Sequence, residues 1–389
     1  MKKKSYIFSA IIISSALALV ACGNQDASTK EGGKDTTKTA TIASTGDLMI
    51  NPKVSDKKVM DKGPYGEAAV SAKTLKLTEK EIEKIKAGKY KAAIVMHYSG
   101  TDYMTAQVNA MKASFKRMGI EVVAVTDAQF KAEKQVSDIE TVLAKKPDVM
   151  ISVPVDPVST APAFKKAAQQ GVKLVFMDGV AQGLKPGKEY ISAVSGDNRG
   201  NGAAAADIMA EKLGKKGNVG IVFHDADFFV TKNRTDAFEE TMREKYPNIE
   251  IVARGGITGP NDGEKVASAM LTRNKNINGI FVVWDVPAEG VVAAARTAGK
   301  DDLVVTTTDL GTNVGLEIAS EGIVKGLGGQ LPFDQGVAES ILAGYALLGK
   351  EAPAYVATPA LSVTKENVLD SWKLIYGVDA PEIIQNAAE

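Results

Sequence analysis

The chain has 389 residues, with 47 basic and 47 acidic side chains and one cysteine. This length suits two ordinary domains rather than one enlarged core, and the balanced charge offers no basic stripe for nucleic acid. A lone cysteine excludes internal disulfides, so stability must come from burial of aliphatic side chains.

Lys2, Lys3 and Lys4 open an apolar segment that ends in Leu19-Val20-Ala21-Cys22. A basic start, an apolar centre too short for a dedicated span and small residues before the cysteine have the form of a secretory signal. A cysteine ending such a segment resembles the bacterial lipoprotein lipobox. That resemblance implies that residues 1–21 are removed and that Cys22 carries a diacylglyceryl group. The lipid would hold the protein outside the cytoplasm, on the outer face of the cytoplasmic membrane or in the periplasm. No later apolar stretch is long enough to form a transmembrane helix. Residues 22–45 are mainly small and polar and read as a flexible tether. Residues 46–77 mix Pro52, Gly63, Pro64 and Gly66 with scattered aliphatics and read as an irregular lead-in. Thr78 and Glu81 have capping-box spacing ahead of Ile82 and Ile85, and Gly88 offers a stop, so a short helix should complete the segment 46–90.

From Lys91 short apolar runs alternate with segments of helical spacing. The expected strands are 92–96, 122–125, 149–153, 172–177 and 190–194, then 219–223, 249–253, 279–283 and 303–307. Parallel crossovers need a long connection, usually a helix, so this alternation predicts an α/β protein whose parallel sheets are covered on both faces. The two series predict two doubly wound domains with a boundary near Ser195 to Arg199.

Ligands of open parallel sheets bind outside the carboxyl ends of the strands. Those ends carry His97, Tyr98, Asp102 and Tyr103, then Asp178, in the first series. In the second they carry His224, Asp225 and Asp227, then Trp284 with Asp285, then Asp309. Carboxylates accept hydroxyl hydrogen bonds and aromatic faces cover the C–H face of a sugar ring, which suits a neutral polyhydroxylated ligand. Each aspartate also has a plainer reading as a helix cap, the tyrosines as rim packing and Trp284 as part of a core layer. The two histidines lack partners at metal-ligand spacing, so no metal site is expected.

From about Lys91 to Gly349 the chain resembles the ribose- and galactose-type periplasmic binding proteins, receptors of ATP-driven sugar importers. The resemblance rests on Val153-Pro154-Val155-Asp156-Pro157, Val175-Phe176-Met177-Asp178, Ser195-Gly196-Asp197-Asn198, and Gln330-Leu331-Pro332 with Asp334-Gln335-Gly336. It implies two similar lobes of the type I fold, joined by a three-segment hinge near Gly196, Gln330 and Ala354. The first lobe would comprise 91–195 plus 331–353, and the second 196–330 plus 354–389. Carried over position by position, the ligand carboxylates would be Asp178 and Asp309, and the hinge-side amide Gln330. The cleft arginine would fall within Lys232-Asn233-Arg234, at Arg234 or, with a small offset, at Lys232. Asp102 and Tyr103 would hold first-loop contacts, and Tyr98, Asn198, Asp225, Trp284 and Asp285 complete the candidate set. Two departures stand out: Gly179 replaces an arginine of ribose-binding relatives, and Trp284 replaces an asparagine. Together they favour a ligand with a larger apolar face or fewer hydroxyls. No Asp-rich calcium loop is present.

The resemblance implies a monomeric receptor that hands a monosaccharide to the permease of an ABC importer, without cofactor or catalysis. A sensor passing the same ligand to a chemoreceptor or histidine kinase would have the same cleft. Gly200-Asn201-Gly202-Ala203-Ala204-Ala205, with Asp225 further on, has the spacing of a dinucleotide fingerprint. Export argues against an NAD-type enzyme, and packing of small residues against the sheet explains the same run. There is no Gly-x-Ser-x-Gly elbow.

Overall fold

A computed structural model describes residues 41–389. The signal segment, Cys22 and most of the tether lie outside the described residues. The first part of the described chain holds β1 (Val70–Ser71), α1 (Glu79–Gly88), β2 (Lys91–Met96), α2 (Asp102–Arg117), β3 (Glu121–Asp127), α3 (Ala132–Leu143), β4 (Val149–Ser152), α4 (Ala161–Gln169), β5 (Lys173–Met177) and β6 (Ser192–Gly196). Next come α5 (Asn198–Lys212), β7 (Gly217–His224), α6 (Phe229–Lys245), β8 (Ile249–Ile257), α7 (Gly263–Arg273), β9 (Gly279–Val282), α8 (Asp285–Thr297), β10 (Val304–Thr308), α9 (Thr312–Ala319) and β11 (Val324–Gly329). The chain ends with α10 (Pro332–Leu348), β12 (Tyr355–Thr358), β13 (Leu361–Val363), α11 (Val368–Tyr376) and α12 (Glu382–Ala388). Every strand expected from the apolar runs forms.

The first sheet has the order β1-β12-β6-β5-β4-β2-β3, with all neighbours parallel. The second has the order β13-β11-β10-β9-β7-β8, parallel except for β13. The five-strand series β2–β6 and β7–β11 therefore repeat one order: second, first, third, fourth, fifth. The strand order reverses beside β2 in one lobe and beside β7 in the other, which marks the crevice of each sheet. Central strands such as β4 and β9 are buried along their whole length, as parallel strands covered on both faces must be.

The chain passes between the sheets after β6, between β11 and α10, and between β12 and β13. The last crossing corrects the sequence expectation. Tyr355–Thr358 pairs with β6 in the first sheet, so the return to the second lobe follows Thr358 rather than Ala354.

The lead-in is less irregular than expected. Its β1 pairs with β12 at the edge of the first sheet, and Leu48, Ile50, Val54, Leu75 and Leu77 are buried. It also straps the hinge. The Asn51 amide donates to Asp334 Oδ1 at 2.7 Å, and the Met60 and Asp61 amides donate to the Asp197 carboxylate at 2.9 and 3.1 Å. The Asp61 carboxylate in turn accepts from the Asn198 amide and from Asn233, at 3.2 Å each. Thr78 and Glu81 form the expected capping box of α1. Gly88, however, is the last helical residue, and Lys89 takes the left-handed cap with φ 50°.

The fingerprint-like glycines serve close packing. A Cβ on Gly202 would lie 2.1 Å from the Arg234 carbonyl oxygen, so α5 and α6 touch backbone to side-chain-free backbone.

Candidate ligand-binding site

The carboxyl ends of the strands of both lobes face one another across a cavity of about 510 Å³, counted with its solvent-open mouth. Asp178 follows β5 and Asp309 follows β10, the fourth strand of each five-strand series. Both have left-handed backbones, with φ of 58° and 68°. Their amides donate to the neighbouring strand, Asp178 to Val194 at 2.7 Å and Asp309 to Gly328 at 3.1 Å. The same local device thus turns one carboxylate into the cavity from each lobe. Left-handed aspartate is a strained choice that the surrounding structure must hold in place.

Arg234, on α6 and almost wholly buried, anchors the second carboxylate. Its Nη1 donates to Asp309 Oδ2 at 2.9 Å and its Nη2 to Oδ1 at 3.3 Å. The same Nη1 reaches Thr308 Oγ1 at 2.7 Å and the Val283 carbonyl at 3.1 Å. Gln330 Nε2 donates to Asp309 Oδ1 at 2.9 Å, tying the second crossing to the site. Asp178 accepts only from Ser195 Oγ, at 2.7 Å, among described side chains. Burial pushes its carboxyl up to about 6, although Ser195 and Arg234 pull it back. Asp285 opens α8, and burial together with the Asp309 charge pushes it up to about 8.

Aromatic rings form the remaining wall. His97 stacks on Phe228 across the lobes at 5.7 Å between centroids, and Tyr98 stacks on Phe130 at 4.2 Å. Trp284 lies edge-on to His224 at 5.3 Å, and its buried Nε1 has no hydrogen-bond partner. Burial lowers His97 to about 3 and also lowers His224, so both rings are neutral at pH 7. The Tyr103 hydroxyl donates to Gln335, and burial raises its pKa well above the ordinary tyrosine value.

Of the expected residues, Tyr98, Tyr103, Asp178, Arg234, Trp284, Asp285, Asp309 and Gln330 line the cavity. Four do not. Asp102 sits at the cleft mouth, where its Oδ2 accepts from the Thr312 amide and hydroxyl, each at 2.8 Å. Asn198 lies behind the site, donating to Ser195 Oγ at 2.9 Å and accepting from Arg234 Nε at 3.3 Å. Asp225 is exposed beyond the end of β7. Lys232 points to the surface and pairs with Asp236 at 2.5 Å, one helical turn away, which leaves the inward position of α6 to Arg234. Sequence reasoning missed Phe130 and Phe228, which stand in the loops after β3 and β7. Reading whole loops rather than the first residues after each strand would have found them. Among the described residues no group of His, Cys, Asp and Glu could hold a metal ion, and no helix is long and apolar enough to cross a membrane.

Residues 92–352 match the family model described as a periplasmic binding protein domain. The chain is 24% identical over 275 residues to the ribose import binding protein of Escherichia coli, a match covering 71% of this chain and 90% of that one. It is 25% identical over 278 residues to the xylitol-binding protein of Mycolicibacterium smegmatis, covering 70% of this chain and 76% of the relative. A solved ABC transporter periplasmic solute binding protein from Actinobacillus succinogenes, with bound D-allose, is 29% identical at a TM-score of 0.64 and covers 72% of this chain and 100% of its own. Family membership implies a place outside the cytoplasm and a binding rather than catalytic role. With two parallel-sheet lobes, a cleft at their strand ends and a family match over most of its length, the chain belongs to the periplasmic binding protein family.

Proposed function

We propose that this protein captures a small neutral polyhydroxylated compound, a monosaccharide or a polyol, between its lobes and delivers it to the permease of an ABC importer. The observation that carries this reading is the paired placement of Asp178 and Asp309, one from each lobe, within aromatic walls. Carboxylates accept from hydroxyl groups and rings cover C–H faces, so ligand contacts made from both sides favour the closed arrangement of the lobes. In this reading Tyr98, Tyr103, Asp178, Arg234, Trp284, Asp285, Asp309 and Gln330 touch the ligand. Ribose, xylitol and D-allose, the compounds in the relatives' names, have the same chemistry.

Calorimetry with a panel of pentoses, hexoses and polyols tests the reading. At least one should bind, and Asp178→Asn or Asp309→Asn should each weaken it by roughly 1.5–3 kcal/mol, the range for hydrogen bonds to a charged group. A protein that binds no member of the panel would sink the proposal. We further propose that the receptor is a monomer anchored by a diacylated Cys22, since two acyl chains give stable attachment. Cys22→Ala should then move the protein from the membrane fraction to the medium or periplasm with unchanged ligand affinity. Retention in the membrane fraction would refute the anchor.

A further inference from the structure

The cavity has two sides, and they are built differently. On one side a recess of about 770 Å³, counted with its open solvent, shares Tyr98, Thr101 and Asp285 with the cavity and is spanned by the two hydrogen bonds from Thr312 to the Asp102 carboxylate across the lobes. On the other side a second hollow, about 860 Å³ counted with its open solvent, lies directly against the cavity. Phe228 is the wall shared by the two spaces. Consecutive residues divide between them: Asp178 lines the cavity and Gly179 the hollow, while Thr231 lines the cavity and Lys232 the hollow.

Gly179 is the informative position. Its backbone is outside the left-handed range, and a Cβ placed there would meet no atom within 4 Å. Glycine is therefore not demanded by the turn or by packing, and its missing side chain leaves space beside the acidic group of the first lobe. The rest of the hollow has Tyr65, Phe229 and Phe228 for ring faces, with Asp227 and Gln182 at its polar edge. Those are the elements that hold a sugar ring: apolar faces for stacking and acceptors for hydroxyls.

We propose that the hollow is a second subsite, and that the natural ligand is a glycoside whose first ring occupies the cavity and whose second ring extends past Phe228 over Gly179. This rests on the cavity being a sugar site and narrows its ligand class from monosaccharides to disaccharides and related glycosides. Tyr65 belongs to the lead-in, so part of the subsite lies outside the residues 92–352 that match the family model.

Calorimetry with D-glucose, D-xylose and D-galactose against cellobiose, xylobiose, lactose and the three phenyl glycosides tests the proposal in wild type and Gly179→Leu. At least one glycoside should bind about tenfold more tightly than its parent sugar, the size of one hydrogen bond with an aromatic contact. Gly179→Leu places its Cβ free of contact and its isobutyl group at the start of the hollow, so it should erase that advantage while leaving monosaccharide affinity and melting temperature unchanged. Monosaccharides that bind while every glycoside is rejected would overturn the subsite and leave the sugar-site reading standing. A glycoside advantage that survives Gly179→Leu would overturn its placement. A protein that binds none of these compounds, nor any pentose or polyol, would overturn both readings.

Discussion

The carboxylate of Asp102, at the start of α2 in the first lobe, is joined to both the amide and the hydroxyl of Thr312, at the start of α9 in the second. These bonds exist only when the lobes are together. Opening the cleft must break them, so they bias the equilibrium toward closure by their net worth, about 1 kcal/mol for exposed hydrogen bonds. Asp102→Ala should therefore enlarge the ligand-free radius of gyration in solution scattering and weaken ligand binding several-fold. Identical scattering and affinity would show that the contact has no part in closure.

Arg234 and Asp309 form a buried ion pair, with side chains 3% and 10% exposed. Removing only the cation strands a buried carboxylate, which typically costs roughly 3–5 kcal/mol. Arg234→Met should lower the melting temperature markedly. Arg234→Met combined with Asp309→Asn removes both charges, keeps a residue that tolerates the left-handed backbone and should recover much of the loss without restoring ligand binding. If the double variant melts no higher than the single one, the stranded charge is not the cause.

Acid should stabilise the ligand-free protein. Burial raises Asp61, Asp178 and Asp334 to about 6 and Asp285 to about 8, against an ordinary aspartate value of 3.8. Between the unfolded and folded values the native state binds more protons, so stability falls as pH rises through that window. His97, lowered by burial to about 3, and His224, also lowered, act in the opposite sense below the unfolded histidine value of 6.5, but they are two groups against four aspartates; Glu81, held down to about 2 by Lys350, opposes only below its unfolded value of 4.5. The melting temperature should therefore rise from pH 8 to pH 5. Affinity for a ligand that donates hydroxyls to ionised Asp178 should fall as pH drops below about 6. A melting temperature that falls steadily from pH 8 to pH 5 would contradict this assignment.

Trp284 lines the cavity beside His224, whereas Trp372 packs at a tilt against Tyr376 on α11. In a Trp372→Phe background, saturation with ligand should shift the emission of Trp284, because its surroundings change from water and open lobes to a dry contact. Unaltered emission with a tightly bound ligand would remove Trp284 from the contact set.

Much of the architecture was legible because parallel strands buried on both faces must be apolar throughout, as β4 and β9 are. β11 escaped because Val324–Gly329 holds three glycines; a Cβ on Gly328 would lie 2.2 Å from the Asn201 carbonyl oxygen, so helix packing removes the apolar signal. β12 and β1 escaped because they are short and pair with strands far away in sequence. Within the site, aspartates and the tryptophan directly after strands could be read from their positions. Asp102, Asn198 and Lys232 could not, because adjacency to a strand end or a helix start does not tell which side of the backbone a side chain will take. Phe130 and Phe228 look like ordinary core residues in sequence, and only the turn of their loops brings them against His97 and Tyr98.

The position of β12 delays completion of the first sheet. It lies between β6 and β1 in the first sheet, with Val356 paired to both Val194 and Val70. The lobe that begins first along the chain therefore lacks an interior strand until residues 355–358 are available, when the second lobe already has all its parallel strands. The second lobe still awaits β13, α11 and α12, whose Val363, Val368, Trp372, Ile375 and Ile384 are buried, so neither lobe has its whole core until the last thirty or so residues are available. Such distant pairing favours slow closure of the first sheet, and an exported chain that stays loose until its final segment has crossed is well matched to that sequence of events.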